Sequence, residues 1–128
     1  MSVHVVVFLL ALLNKGGKLT MDSQEYTNLA QRTIVNDLSL WDQAINAILG
    51  MCGESGEIAD YVKKHRYHGH ACDIEHIKLE LGDLLWYVNQ MCYACGITLD
   101  DVMTANIAKL EKRYPETFNY GASRNRTD

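Results

Sequence analysis

From residue 21 onward, apolar positions recur every three or four residues, so the chain predicts helices throughout and no strands. Asp22 or Ser23 caps a first helix with Tyr26, Leu29, Ala30 and Ile34 at core spacing. Asn36-Asp-Leu-Ser39 breaks it, and Ser39 caps a second helix from about Leu40 to His65. Its predicted inward stripe is Trp41, Ala44, Ile45, Ile48, Leu49, Cys52 and Ile58. The polar, His-rich stretch from Tyr67 to Cys72 reads as a connection. Asp73 caps a third helix with Ile77, Leu81, Leu84, Leu85, Val88 and Met91 inward, and Gly96 ends it. Thr98 caps a fourth, Leu99 to Tyr114, which Pro115 stops because a residue before proline avoids helical geometry. Four helices on short connections imply an all-α, antiparallel four-helix bundle.

Val3 to Leu13 departs from this pattern, being almost wholly apolar. As a helix it would span about 16 Å, too short for a bilayer. It resembles the core of a secretory signal, yet no Lys or Arg precedes it and no small-x-small cleavage site follows. Residues 1–20 are therefore read as an N-terminal extension, upstream of a natural start at Met21, with a membrane-leaning anchor or an extra β-strand as the weaker readings. Residues 21–120 form the domain, and 121–128 a flexible tail.

Composition changes the picture mainly by exclusion. With 128 residues, 48% apolar and 22% charged, the chain suits one globular domain. A net charge of −4 offers no basic field for a nucleic-acid backbone, so a DNA- or RNA-binding role is disfavoured. Cys52, Cys72, Cys92 and Cys95 form no disulfide framework: three lie within apolar helical patterns, where a free thiol is a small hydrophobe. Cys92-Tyr-Ala-Cys95 lacks both a partner pair and a strand–turn–helix context. A reducing, cytoplasmic setting and no membrane partner are expected.

The candidate chemistry is acidic. Glu54-Ser-Gly-Glu57 and Glu80-Leu-Gly-Asp83 each place two carboxylates at i and i+3, on one helix face. Sequential helices on a short loop pack antiparallel, which brings the two pairs level. Each motif carries an internal glycine, Gly56 and Gly82, at about 1 kcal/mol relative to alanine, which suggests a close approach of backbones or of a ligand. Four clustered carboxylates repel unless a cation lies between them, and Mg²⁺ takes a few carboxylates plus water and phosphate oxygens. Solvated helix faces would explain one such pair but not two with matched glycines.

These residues, within Gly53-Glu-Ser-Gly-Glu-Ile-Ala-Asp60 and Glu80-Leu-Gly-Asp-Leu-Leu-Trp-Tyr-Val88, resemble the MazG-like all-α nucleotide pyrophosphohydrolases. Asn106-Ile-Ala-Lys109-Leu-Glu-Lys-Arg113-Tyr-Pro is similar to that family's closing helix, and the resemblance runs from about Tyr26 to Phe118. It implies hydrolysis of nucleoside or deoxynucleoside triphosphates between the α and β phosphates, as nucleotide-pool housecleaning. It also implies that Glu54, Glu57, Glu80 and Asp83 ligate Mg²⁺, with Mn²⁺ a possible substitute, and that one of them, Glu57 before Glu54, activates water. Homodimers or homotetramers are expected on the same ground, with Trp41, Met51 and Met91 at a subunit contact or in the core. Phosphoribosyl-ATP pyrophosphohydrolases are a related alternative that Glu-Leu-Gly-Asp-Leu-Leu-Trp fits less well.

Asn106, Lys109 and Arg113 share one stripe of the fourth helix, able in a bundle to face the acidic pairs and the triphosphate. Lys64, seven residues beyond Glu57, is a further phosphate ligand, while Lys63 points away. Trp41, Trp86 and Tyr87 could stack on a base, with core packing favoured for Trp86. His65, His68, His70 and His76 with Cys72 raise a zinc site, against which their spacing matches no common module. The rival to an enzyme is a non-catalytic metal-binding or partner-binding helical bundle. A carboxylate-bridged iron protein would want Glu-x-x-His motifs, which neither acidic pair has.

Overall fold

A computed structural model describes residues 20–126; the expected extension over 1–20 thus lies almost wholly outside the described residues. Each α-helix described begins at a side-chain cap. Helix α1 (Ser23–Ala30) starts where Asp22 accepts the Glu25 N–H at 2.8 Å, and a 3-10 turn (Gln31–Thr33) tightens its end. Helix α2 (Leu40–His68) begins at Ser39, whose hydroxyl accepts the Asp42 N–H. Helix α3 (Ile74–Cys95) is capped by Asp73. Helix α4 (Leu99–Arg113) starts in a capping box between Thr98 and Asp101. Helix α5 (Tyr120–Arg124) is short and is capped by Asn119, so the segment expected as a flexible tail opens with a helical turn.

Helix α2 runs three residues beyond its expected end. Gly69 stops it with φ +73°, the left-handed geometry that costs glycine least, and Gly96 ends α3 the same way. His65 and His68 are consequently helical, in a last turn where basic groups suit the helix dipole. The loop shrinks to Gly69–Asp73, tight enough to fold α3 straight back on α2.

The dominant packing is α2 on α3, while α1 lies against α4 and α3. The hairpin register reads from its contacts. Gln43 lies opposite Gln90, Gly50 opposite Tyr87 and Tyr61 opposite His76. Glu54 is thereby level with Asp83, and Glu57 with Glu80, as the antiparallel expectation required.

The inward stripes differ from those expected. Trp41, Ile45, Ile48 and Leu49 on α2 are exposed, Trp41 to 75%, as are Leu81 and Leu85 on α3. The α2–α3 seam instead buries Gln43, Ala47, Asn89 and Gln90. Gln43 and Gln90 answer one another, Gln90 Nε2 donating to Gln43 Oε1 at 2.6 Å and Asn46 Nδ2 to Gln90 Oε1 at 2.9 Å, while Asn89 Oδ1 accepts from Thr27 Oγ1. Gln43 Nε2 donates to the Val35 carbonyl, tying the preceding loop to the hairpin. The seam is built instead of small and amide side chains, and Gly50 permits a close approach to Tyr87. Trp86 is half-buried, its indole N–H donating to Thr33 Oγ1 at 2.7 Å. No helix among the described residues is long and apolar enough to cross a membrane.

Candidate metal centre

The seam's register carries the acidic residues. Glu54 and Glu57 lie one turn apart on α2, and Glu80 faces them from α3. Glu54, Glu57 and Glu80 each offer a carboxylate oxygen, all within 4.8 Å of one another. Among the described residues this is the one group of acidic, histidine or cysteine side chains gathered closely enough to hold a cation. Asp83 stands outside that tight trio but close enough for its charge to act on Glu54. Its charge also acts on Tyr26 of α1, whose phenol burial and Asp83 together push up.

The electrostatics show what the cluster lacks. Desolvation first, then the neighbouring charges of Glu57, Asp83 and Glu80, holds Glu54 above the ordinary carboxylate range. Within the trio no side-chain cation separates the carboxylates, and the donor set is hard oxygen only. Such a set fits Mg²⁺ or Mn²⁺, which accept a few carboxylates and complete their shell with water and phosphate.

An open cleft of about 430 Å³ adjoins the trio, lined by Gly56, Glu57, Asp60, Lys64, His76 and Glu80 among others. Asp60 and Tyr61 on its wall escaped sequence reasoning, although i+3 and i+4 from Glu57 placed them on the same stripe. Asp60 holds Lys63 at 2.5 Å and Lys64 at 2.6 Å. These two ammonium groups, Lys63 first, lower its carboxyl to about 2. Lys63 is thus drawn into the Asp60 pair rather than standing apart, while Lys64 alone of the two lines the cleft.

The matched glycines receive a different explanation from the one expected of them. A Cβ at Gly56 or Gly82 would meet nothing within 4 Å, so neither marks a helix crossing. Gly56 opens onto the cleft. The close approach of helices is at Gly50, against the ring of Tyr87.

Asn106 and Lys109 line a separate pocket with Ile97 and Asp101, and Arg113 lines a third beside Phe118. A single chain therefore does not bring the α4 stripe to the carboxylates, because α4 packs chiefly on α1. The histidines do not converge on Cys72. His65 Nδ1 lies 2.8 Å from the His70 carbonyl oxygen, and His76 turns toward Glu80.

The profile of the MazG nucleotide pyrophosphohydrolase domain matches residues 43–118, more than half of the chain, including all four acidic positions. The "Gene 37 protein" of Mycobacterium phage L5 is 33% identical over 82 residues, covering 61% of this chain and 72% of that protein. No solved structure matches.

Proposed function

Because this chain belongs to the MazG nucleotide pyrophosphohydrolase family, we propose that it hydrolyses nucleoside or deoxynucleoside triphosphates between the α and β phosphates, releasing a monophosphate and pyrophosphate. One observation carries the reading: carboxylate oxygens of Glu54, Glu57 and Glu80 meet within 4.8 Å across two facing helices, inside the matched region. Mg²⁺ is the proposed resident ion and Mn²⁺ its substitute; bound there, it supplies phosphate-charge neutralisation and a lower pKa for water.

The chain's own residues divide the remaining work. Glu54 and Glu80 would hold the ion from opposite helices, and Asp83 would add negative charge or a ligand beside Glu54. Glu57 is proposed as the carboxylate that accepts a proton from the attacking water, a reading its exposure and position on the cleft wall support. Lys64, paired with Asp60 at 2.6 Å and lining the cleft, is the residue proposed to receive triphosphate oxygens.

The uncovered apolar stripe on α2, Trp41, Ile45 and Leu49, supports a homo-oligomer in which a second copy covers it and completes a four-helix bundle. In that assembly Asn106, Lys109 and Arg113 reach a carboxylate site from the neighbouring copy. A panel of nucleotides assayed with Mg²⁺, with EDTA and with Glu57→Gln tests the reading. Turnover that persists in EDTA or in Glu57→Gln would remove the metal or Glu57 from it.

A further inference from the structure

Sequence periodicity leaves His76 without a task, and its zinc reading does not assemble. Its surroundings give it another. His76 Nε2 lies 3.4 Å from Glu80 Oε1, one turn along α3, and its side chain is 43% exposed against 14% for Glu80. The imidazole has a second neighbour. The Tyr61 ring lies against it with centroids 4.4 Å apart, tilted by 49°. Tyr61 is fixed in turn at its hydroxyl, which accepts the Asp73 N–H at 2.6 Å and reaches the Ala71 and Asp73 carbonyls at 3.4 Å. A connected path therefore runs from the turn between the helices, through Tyr61 of α2, to His76 of α3 and on to Glu80.

We propose that His76, clamped by Tyr61, is a positioning residue that holds Glu80 in the orientation a divalent cation requires. This rests on the metal-site reading above. His76 is not a ligand in the proposal, since the oxygens that converge belong to Glu54, Glu57 and Glu80. With Nε2 at 3.4 Å from one Glu80 oxygen, acceptor sites on that carboxylate stay open to the ion, because an ionised carboxylate offers about four. Glutamate is a long side chain with several rotamers, and in the metal-free trio its neighbours repel it. A donor fixed on the wall of the cleft offsets both tendencies. Groups that orient metal ligands in this way typically change affinity by about 10–100-fold when removed.

Mn²⁺ binding to the full-length protein, read from the electron paramagnetic resonance of free Mn²⁺, tests this without turnover. Four proteins are compared: wild type, His76→Ala, His76→Gln and Glu80→Gln, each with a thermal melt recorded in EDTA. His76→Ala is expected to weaken Mn²⁺ binding about tenfold. His76→Gln, whose amide N–H occupies the place of Nε2–H, is expected to recover most of that loss, with both melts close to wild type. Wild-type Mn²⁺ affinity in His76→Ala, or equal weakening in the alanine and glutamine variants, overturns the proposal while the metal site stands. Mn²⁺ binding by Glu80→Gln as tight as that of wild type would overturn the metal-site reading, and this proposal with it.

Discussion

Gly50 on α2 lies flush against the aromatic ring of Tyr87 on α3, so closely that a single added Cβ would occupy the space of the ring. This contact is one turn from Glu54 on one helix and one turn from Asp83 on the other. The distance between the two helix axes at Gly50 therefore fixes how near the carboxylates come to one another.

Two alanine substitutions should consequently act in opposite directions. Gly50→Ala overpacks the seam and is expected to lower stability by about 1–3 kcal/mol, while also disturbing metal binding. Gly56→Ala, with open space around it, should raise stability by about 0.5–1 kcal/mol through helix propensity alone. Urea midpoints of the metal-free proteins measure both; a Gly50→Ala variant as stable as wild type would remove the close contact from the account.

Glu54 gives a pH dependence. Burial and three neighbouring carboxylates raise its pKa in the folded chain above the ordinary value of 4.5. The folded state thus holds that proton more tightly than the unfolded state, and the ionised group is unfavourable at neutral pH. In EDTA at pH 7, Glu54→Gln should melt higher than wild type. The difference should shrink as pH falls through the raised folded value and vanish below the unfolded one. Saturating Mg²⁺ should narrow it too, by stabilising wild type more than the variant. Melting curves at several pH values with and without Mg²⁺ decide the matter.

Lys63 and Lys64 share Asp60, yet only Lys64 lines the cleft. Lys64→Ala is expected to raise KM for a nucleoside triphosphate about tenfold, the worth of one charge-assisted contact, with kcat changed much less. Lys63→Ala should leave KM within about twofold, as for an exposed ion pair. Steady-state kinetics on the two variants separates them, and equal effects would contradict the placement of Lys64.

The α4 stripe makes a prediction about assembly. If Lys109 serves the carboxylates of a neighbouring copy, Glu57→Gln and Lys109→Ala subunits are each inactive alone but complement when mixed. Random pairing in a two-fold dimer would restore about a quarter of wild-type turnover. Subunits refolded together and assayed against each variant alone provide the measurement. No recovery on mixing would place both residues in sites made by one chain.

Much of this was legible in the sequence, and the part that was not has an identifiable cause. Caps are local chemistry: Asp22, Ser39, Asp73 and Thr98 each begin a helix because their side chains reach a backbone N–H two or three residues ahead. The acidic motifs were legible because i, i+3 spacing and a short turn leave the two pairs little choice of register. The seam was not. Trp41, Ile45 and Leu49 have the periodicity of a core stripe, but periodicity cannot say which of two apolar faces meets which neighbour. Gln43 and Gln90 look like surface residues until each is seen to satisfy the other. Gly56 and Gly82 drew attention through their matched positions, whereas Gly50, in no motif, makes the contact. His76 carries no periodic signal at all, since its role comes from Tyr61 across the hairpin.

The central claim is a chemistry, and ³¹P nuclear magnetic resonance of the products tests it most directly. Wild-type protein incubated with Mg²⁺ and a deoxynucleoside triphosphate is expected to yield monophosphate and pyrophosphate in equal amounts, and Glu57→Gln neither. Orthophosphate with a diphosphate product, or no turnover across all nucleotides offered, would contradict the account.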